Sequence, residues 1–317
     1  MPPVTRKAKK EFLKEEEFEI FRRNASMLIE KMVELSCQTP KDSTVLVDEA
    51  LHSIFFLGGI NNPPCPPEVI ITDMEILNSL KESYPKPFEL YSIQLPKRHP
   101  FSCVLDMIVQ VTGREKENGI KEKLKELIRQ LKQDARSKIL YSFTICVSYI
   151  DIPDPVKYYG VSMSTTGRTA GKIMVGASCL SAWDDDVAGA VMTYNPDKSK
   201  KKYFDGTIIL PDSVRCESFK LDSGEKMNPC RSCGNLFGLQ TDENTDEWPY
   251  GNCAEAESVS ELLKSEHQVK EQVRARHRSD ENRQKARNAV LKQLKSELEN
   301  TDFKWDNNFY TPQRITY

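Results

Sequence analysis

The sequence predicts an α/β protein in which a helical region comes first, a β-rich region follows and a charged helix comes last. Three observations carry this. Apolar residues recur at spacings of three and four through the first third of the chain. The pattern changes to β-branched and alternating residues near position 138. Beyond Ser265 charge density rises while good helix formers persist. The expected organisation is a helical region over 1–137, an α/β domain with a mixed sheet over 138–265, and a charged helix with a tail over 266–317. A chain of 317 residues has room for one large core or two modest ones.

Residues 11–36 place Phe18, Phe21, Ala25, Leu28, Met32 and Leu35 on one helical face. Asp42 or Ser43 is a candidate cap for a second helix towards Phe56, with Gly58-Gly59 as its stop. NNPPCPP then breaks the chain, because proline neither continues a helix nor donates to a ladder. A short helix is expected over Met74–Ser83. Another is expected over 116–136, where Ile120, Leu124, Leu127, Ile128 and Leu131 share one stripe.

Ile139 to Ile150 is rich in strand formers, IDIPDP reads as a turn, and Tyr159, Val161 and Met163 alternate as on a half-buried strand. Lys172 to Cys179, Gly206 to Leu210 and Val214 to Leu221 are further strand candidates. NPDKSKKKYFDG reads as an exposed basic hairpin or loop, and its KSKKKYF portion pairs cations with aromatics, which suits phosphate contact less well than plain solvation. HQVKEQVRARHRSDENRQKARN predicts a long solvated helix, continued by a stripe of Leu291, Leu294 and Leu298. The tail aromatics Phe303, Trp305, Phe309 and Tyr310 have no helical period and are expected to dock on the core.

Composition narrows the class. Hydrophobic residues at 38% and charged residues at 29% are ordinary for a globular chain. A formal net charge of −2 predicts no strong global attraction to nucleic acid or to an anionic membrane. The longest apolar run, Ile139 to Ile150, is too short to span a bilayer. The N-terminal residues lack the apolar core of a signal peptide, so cytoplasm or nucleus is the expected compartment. Arg6, Lys7, Lys9 and Lys10 fit a nuclear signal or, more commonly, a solvated helix lead-in. The nine cysteines are odd in number and are expected to be reduced thiols. Cys37, Cys103, Cys146 and Cys179 sit in apolar surroundings and read as small buried side chains.

Cys230, Cys233 and Cys253 need another explanation. Two cysteines separated by two residues can direct both sulfurs at one ion, and Cys253 opens a helix-prone run after the breakers Pro249, Gly251 and Asn252. A sulfur at a helix N-terminus has its thiolate favoured. Glu255, two residues on, is expected to point into the same opening. The segment Pro229-Cys230-x-x-Cys233 together with Cys253-Ala254-Glu255 resembles the zinc-dependent cytidine/nucleobase deaminase superfamily. That resemblance implies a deaminase-like fold, with Cys230, Cys233 and Cys253 as ligands of Zn2+ and a fourth position left for water. It implies Glu255 as the catalytic acid/base and Ala254 as a small residue that leaves it room. The order of the two motifs is reversed relative to that superfamily, which requires rewired connections.

Competing readings remain at this level. Cys-x-x-Cys-Gly is also a zinc-knuckle turn, with Gly234 at positive φ and Cys216 or His267 as a fourth ligand. In that case Glu255 is an ordinary first-turn acid. The simplest alternative has three buried thiols and no metal. Trp248 and Tyr250 suit base stacking or core packing equally. His52, His99 and His277 read as ordinary structural or surface residues. TTGRTAGK has the look of a phosphate loop, but Ile173 after Lys172 breaks the pattern.

The expected function is therefore hydrolytic deamination of a cytosine- or adenine-type base in a nucleoside, nucleotide or single-stranded nucleic acid. The alternatives are an inactive deaminase-like protein, or an interaction protein with structural zinc whose helices bind a protein partner.

Overall fold

The computed structural model describes residues 13–39, 43–132, 138–242, 245–275 and 279–314. The sequence-level candidates Asp42, His277 and the basic cluster at 6–10 lie outside them. As expected, helices and strands combine in one α/β fold. Among the described residues no helix is long and apolar enough to cross a membrane.

The helical layer is α1 (Glu15–Ser36), α2 (Thr44–Ile60), α3 (Pro67–Ile70), α4 (Met74–Ser83), α5 (Pro85–Leu90), α6 (Pro100–Thr112) and α7 (Glu117–Lys132). α2 is its axis: it is buried on almost every side, by α1, α5 and α6. The expected stop at Gly58-Gly59 is not one, because α2 runs through both glycines. A Cβ at Gly58 would lie 2.2 Å from the carbonyl oxygen of Cys65, so the glycine serves close backbone packing and not a helix end.

The sheet comprises β1 (Thr144–Ile150), β2 (Tyr158–Val161), β4 (Val214–Lys220) and β5 (Lys226–Met227), ordered β2-β1-β4-β5 and antiparallel throughout. β3 (Ile208–Ile209) pairs separately with β6 (Arg274–Ala275). Between β2 and β3 come α8 (Arg168–Ser181) and α9 (Asp185–Tyr194). After β5 come α10 (Arg231–Phe237), α11 (Ala254–Ser265) and α12 (His267–Gln272), and after β6 comes α13 (Asp280–Asn300).

The segment expected as a strand over Lys172–Cys179 is helix α8. It is buried without a break from Ile173 to Leu180 between α9 and α13, and a helix apolar all round shows no period to distinguish it from a buried strand. The single solvated helix expected after Ser265 is instead α12 and α13, with β6 between them. Val269 and Val273 are buried, as is the α13 stripe Ala286, Val290, Leu294 and Leu298. The loop 195–206 is not simply exposed. Lys201 is buried with its ammonium on the Met192 carbonyl (2.7 Å), and Phe204 is buried. Of the cysteines expected in the core, Cys37 is exposed; Cys103, Cys146 and Cys179 are buried.

α11 lies across one face of the sheet at unusually close range. β-pairing sets Gly160, Cys146 and Ser218 side by side in one row, and Ser148 beside Cys216 in the next. A Cβ at Gly160 would fall 2.3 Å from the Ser258 amide nitrogen and 2.5 Å from the Ala254 carbonyl oxygen. Only a row of small residues admits a helix this close. Hydroxyls of Ser148 and Ser258 meet at 2.8 Å across the contact. On the opposite face Lys121 of α7 sits 3.1 Å from the Phe219 ring centroid.

The tail docks as expected. Leu95 and Phe309 form an isolated parallel bridge, Tyr310 stacks on His52 at 3.7 Å, and its hydroxyl donates to Asp48 (2.5 Å). One buried apolar cluster extends from Ile20 in α1 to Leu298 in α13.

Glu257 couples α11 to β2, its Oε2 accepting from the Val161 amide at 2.8 Å. Burial pushes its carboxyl up to about 7. The folded state therefore holds a proton that the unfolded chain releases near 4.5, so stability is fully present below that pH and is lost as pH rises towards 7. Chemical denaturation between pH 4.5 and 8 should show a fall on the order of 3 kcal/mol that Glu257→Gln removes. An unchanged slope in the variant would assign the pH dependence elsewhere.

Candidate metal centre

Cys230 and Cys253 are the N-cap residues of α10 and α11, and Cys233 is the third residue of α10. Pro229 ahead of Cys230 and the Pro249, Gly251 and Asn252 breakers ahead of Cys253 stop the preceding backbone from continuing the helix. Three bonds lace the two helix starts together. The Arg231 amide donates to the Asp246 carbonyl (3.0 Å), the Ser232 hydroxyl to the Trp248 carbonyl (2.5 Å) and the Asn235 side-chain amide to the Tyr250 hydroxyl (2.8 Å).

The sulfur of Cys230 consequently lies 3.5 Å from that of Cys233 and 3.4 Å from that of Cys253. The three sulfurs all lie within 4.8 Å of one another, a cysteine cluster able to hold a metal ion. Tetrahedral thiolates at about 2.3 Å from zinc sit about 3.8 Å apart, so the separations from Cys230 need only widen by a few tenths of an ångström to match a ligand triangle. Cys233 is buried, while Cys230 and Cys253 are half-buried.

Electrostatics suit a cation. The thiols of Cys233 and Cys253 hold Cys230 far below the usual thiol range, helped by amide N–H groups at the start of α10. Supplying that hydrogen bond pushes Cys233 and Cys253 up. Three thiolates at these distances repel one another unless they share a positive ion.

Gly234 does not take the positive φ of a knuckle turn. It lies inside α10, and the left-handed residue is Gly238 at the helix end (φ 70°). A Cβ on Gly234 would meet Thr241 at 2.7 Å, so this glycine is a packing glycine. Among the described residues no fourth His, Cys, Asp or Glu joins the cluster. Cys216 lies instead against Cys146, with sulfurs 3.3 Å apart, and His267 shares a cleft with Asp185, Asp186 and Lys270.

Glu255 is buried on the sheet side of the cluster. Its Oε1 accepts from the Ser218 hydroxyl at 2.8 Å, and burial pushes its carboxyl up. Sequence alone does not single out Ser218. Only the alternation in VRCESFK hints that it faces the same way as Cys216, and the strand register is needed to find its partner. Tyr250 is core: it stacks on Tyr194 at 4.0 Å with rings nearly parallel, whereas Trp248 is exposed. His52 and His99 are buried away from the cluster.

Fold and site together define a helix-rich α/β protein with a cluster of three cysteines able to hold a metal ion. Comparison with known protein families, curated proteins and solved structures found no match to this chain.

Purified protein should carry near-stoichiometric metal by elemental analysis. Cys230→Ser and Cys253→Ser should lose most of it, and Cys216→Ser and His267→Ala should keep it. Loss in either of the last two equal to that in Cys233→Ser would mean a closed four-ligand site.

Proposed function

We propose that this chain is a zinc-dependent hydrolytic deaminase of a cytosine- or adenine-type base. The observation that carries the reading is the arrangement itself: three thiols on two adjacent helix starts, with a buried carboxylate two residues beyond one of them. The donor set suits zinc over harder cations, since thiolates favour a soft or borderline ion.

Cys230, Cys233 and Cys253 would hold the ion, which when bound supplies a Lewis acid that makes water nucleophilic at neutral pH. Ser218 fixes the Glu255 carboxylate from one side through Oε1. Burial raises the proton affinity of Glu255, which favours a group that must accept a proton and give it back. Glu255 would take one proton from the attacking water to the ring nitrogen and then carry the hydroxyl proton of the adduct to the amine, so that carbon–nitrogen cleavage releases ammonia and leaves a carbonyl. Nucleobase-containing substrates are thus the proposed partners, in cytoplasm or nucleus.

Ammonia release should be measured across nucleosides, nucleotides and single-stranded DNA and RNA. Glu255→Ala should reduce turnover by about 10²–10⁴-fold with zinc retained, the typical contribution of a general acid/base. No turnover by zinc-loaded wild type on any substrate would leave the centre a structural one. Equal turnover by wild type and variant would remove Glu255 from the chemistry.

A further inference from the structure

A cleft of about 170 Å³ lies beside the loop that delivers Cys253, with Pro249, Tyr250 and Asn252 in one wall and the start of α8 in the other. The Asn252 carbonyl accepts from the Met163 amide at 2.8 Å, which fixes the two walls together. Its cations are Arg168, Lys172 and Lys198, and no acidic residue lines it. Lys172 is ion-paired with Glu297 outside the cleft. Arg168 and Lys198 are exposed and pair with no carboxylate among the described residues.

The position of Arg168 is electrostatically adverse as it stands. It is the first residue of a fourteen-residue helix whose first turn contains no acid and whose N-cap, Gly167, offers no side-chain acceptor. The positive end of the helix dipole and a guanidinium repel each other, and an anion relieves both. Ser164, next to Thr165 of the lining, buries a hydroxyl with no partner. The interior is apolar, with Val175 and the buried Tyr250 beneath the cationic rim. The cleft is smaller than a whole drug-sized site and of a size for a phosphate with its sugar.

We infer that the substrate carries a phosphate, and that Arg168, Lys198 and the start of α8 hold it here while the base reaches the cysteine centre next door. This rests on the deaminase reading and narrows it: free bases and unphosphorylated nucleosides lack the anchoring group. A nucleoside monophosphate and a single strand offer the same chemistry, as a phosphomonoester or a phosphodiester.

The test is equilibrium binding by the full, zinc-loaded chain to cytidine and adenosine, their 5′-monophosphates, and single strands of ten dC or ten dA. Wild type should bind one phosphorylated set at least about tenfold more tightly than the nucleosides, and the set that binds identifies the source. Arg168→Glu combined with Lys198→Glu should lose that preference. A matched reversal at the start of α7, Lys116→Glu just before the helix with Lys123→Glu inside it, should keep it. For the single strands, the slope of log affinity against log salt should fall by about 0.7 for each phosphate contact removed. Arg168→Gln with Lys198→Gln, which removes charge without reversing it, should give an intermediate loss and guards against misfolding of the first variant. Equal binding of nucleosides and phosphorylated ligands, or equal losses in the two reversed pairs, would overturn the inference. Turnover without phosphate preference defeats this inference alone. Phosphate preference without turnover defeats the deaminase reading and leaves the cleft a phosphate site.

Discussion

Everything near the centre depends on how closely α11 approaches the sheet. The contact is possible because the row Gly160, Cys146 and Ser218 has no bulk, and at Gly160 not even a methyl group fits. A helix held this near packs its first turn on Gly160 of β2, from where Glu255 reaches the Ser218 hydroxyl of β4. Burial of a carboxyl in that position is costly unless it is hydrogen-bonded or protonated, and here one hydroxyl meets part of the cost. The same proximity orders Glu257 on the Val161 amide and Ser258 on Ser148. A larger residue at position 160 would lift the helix and move Cys253 and Glu255 together.

The second half of the centre is brought in by a different device. Met227 of β5 pairs beside Ser218, so the chain leaves the sheet two residues before Pro229 and enters α10 alongside the start of α11. Two helix N-termini then face one point, each with amide N–H groups left over from its first turn. At Cys230, the N-cap of α10, amide N–H groups add to the neighbouring thiols in favouring the thiolate.

Local features of the sequence were readable and long-range ones were not. The α1 and α7 stripes, the short helix α4, the β1 strand and the helix start at Cys253 all depend on residues within a turn or a few positions of one another. The cysteine cluster was readable for the same reason, since Cys-x-x-Cys is a local geometry and Cys253 announces its own helix. α8 was misread because a helix buried on all sides carries no amphipathic signal. Gly58-Gly59 was misread because a glycine that ends a helix and one that admits a neighbouring carbonyl look the same in one dimension. The pairing of Ser218 with Glu255 depends on register between strands far apart in sequence, which no local pattern encodes.

The strap formed by the tail has a consequence for biosynthesis. The Tyr310 hydroxyl bonds Asp48 across 262 positions, and the strap backbone pairs with Leu95. During translation α2 emerges early, yet its flank at Asp48 and His52 stays uncovered until position 310 has left the ribosome. Until then a nascent chain leaves the Asp48 carboxyl and the face of the His52 ring uncovered. Closure of the first helical layer waits for a segment 262 positions downstream, which makes that surface a natural target for cellular chaperones while the chain grows.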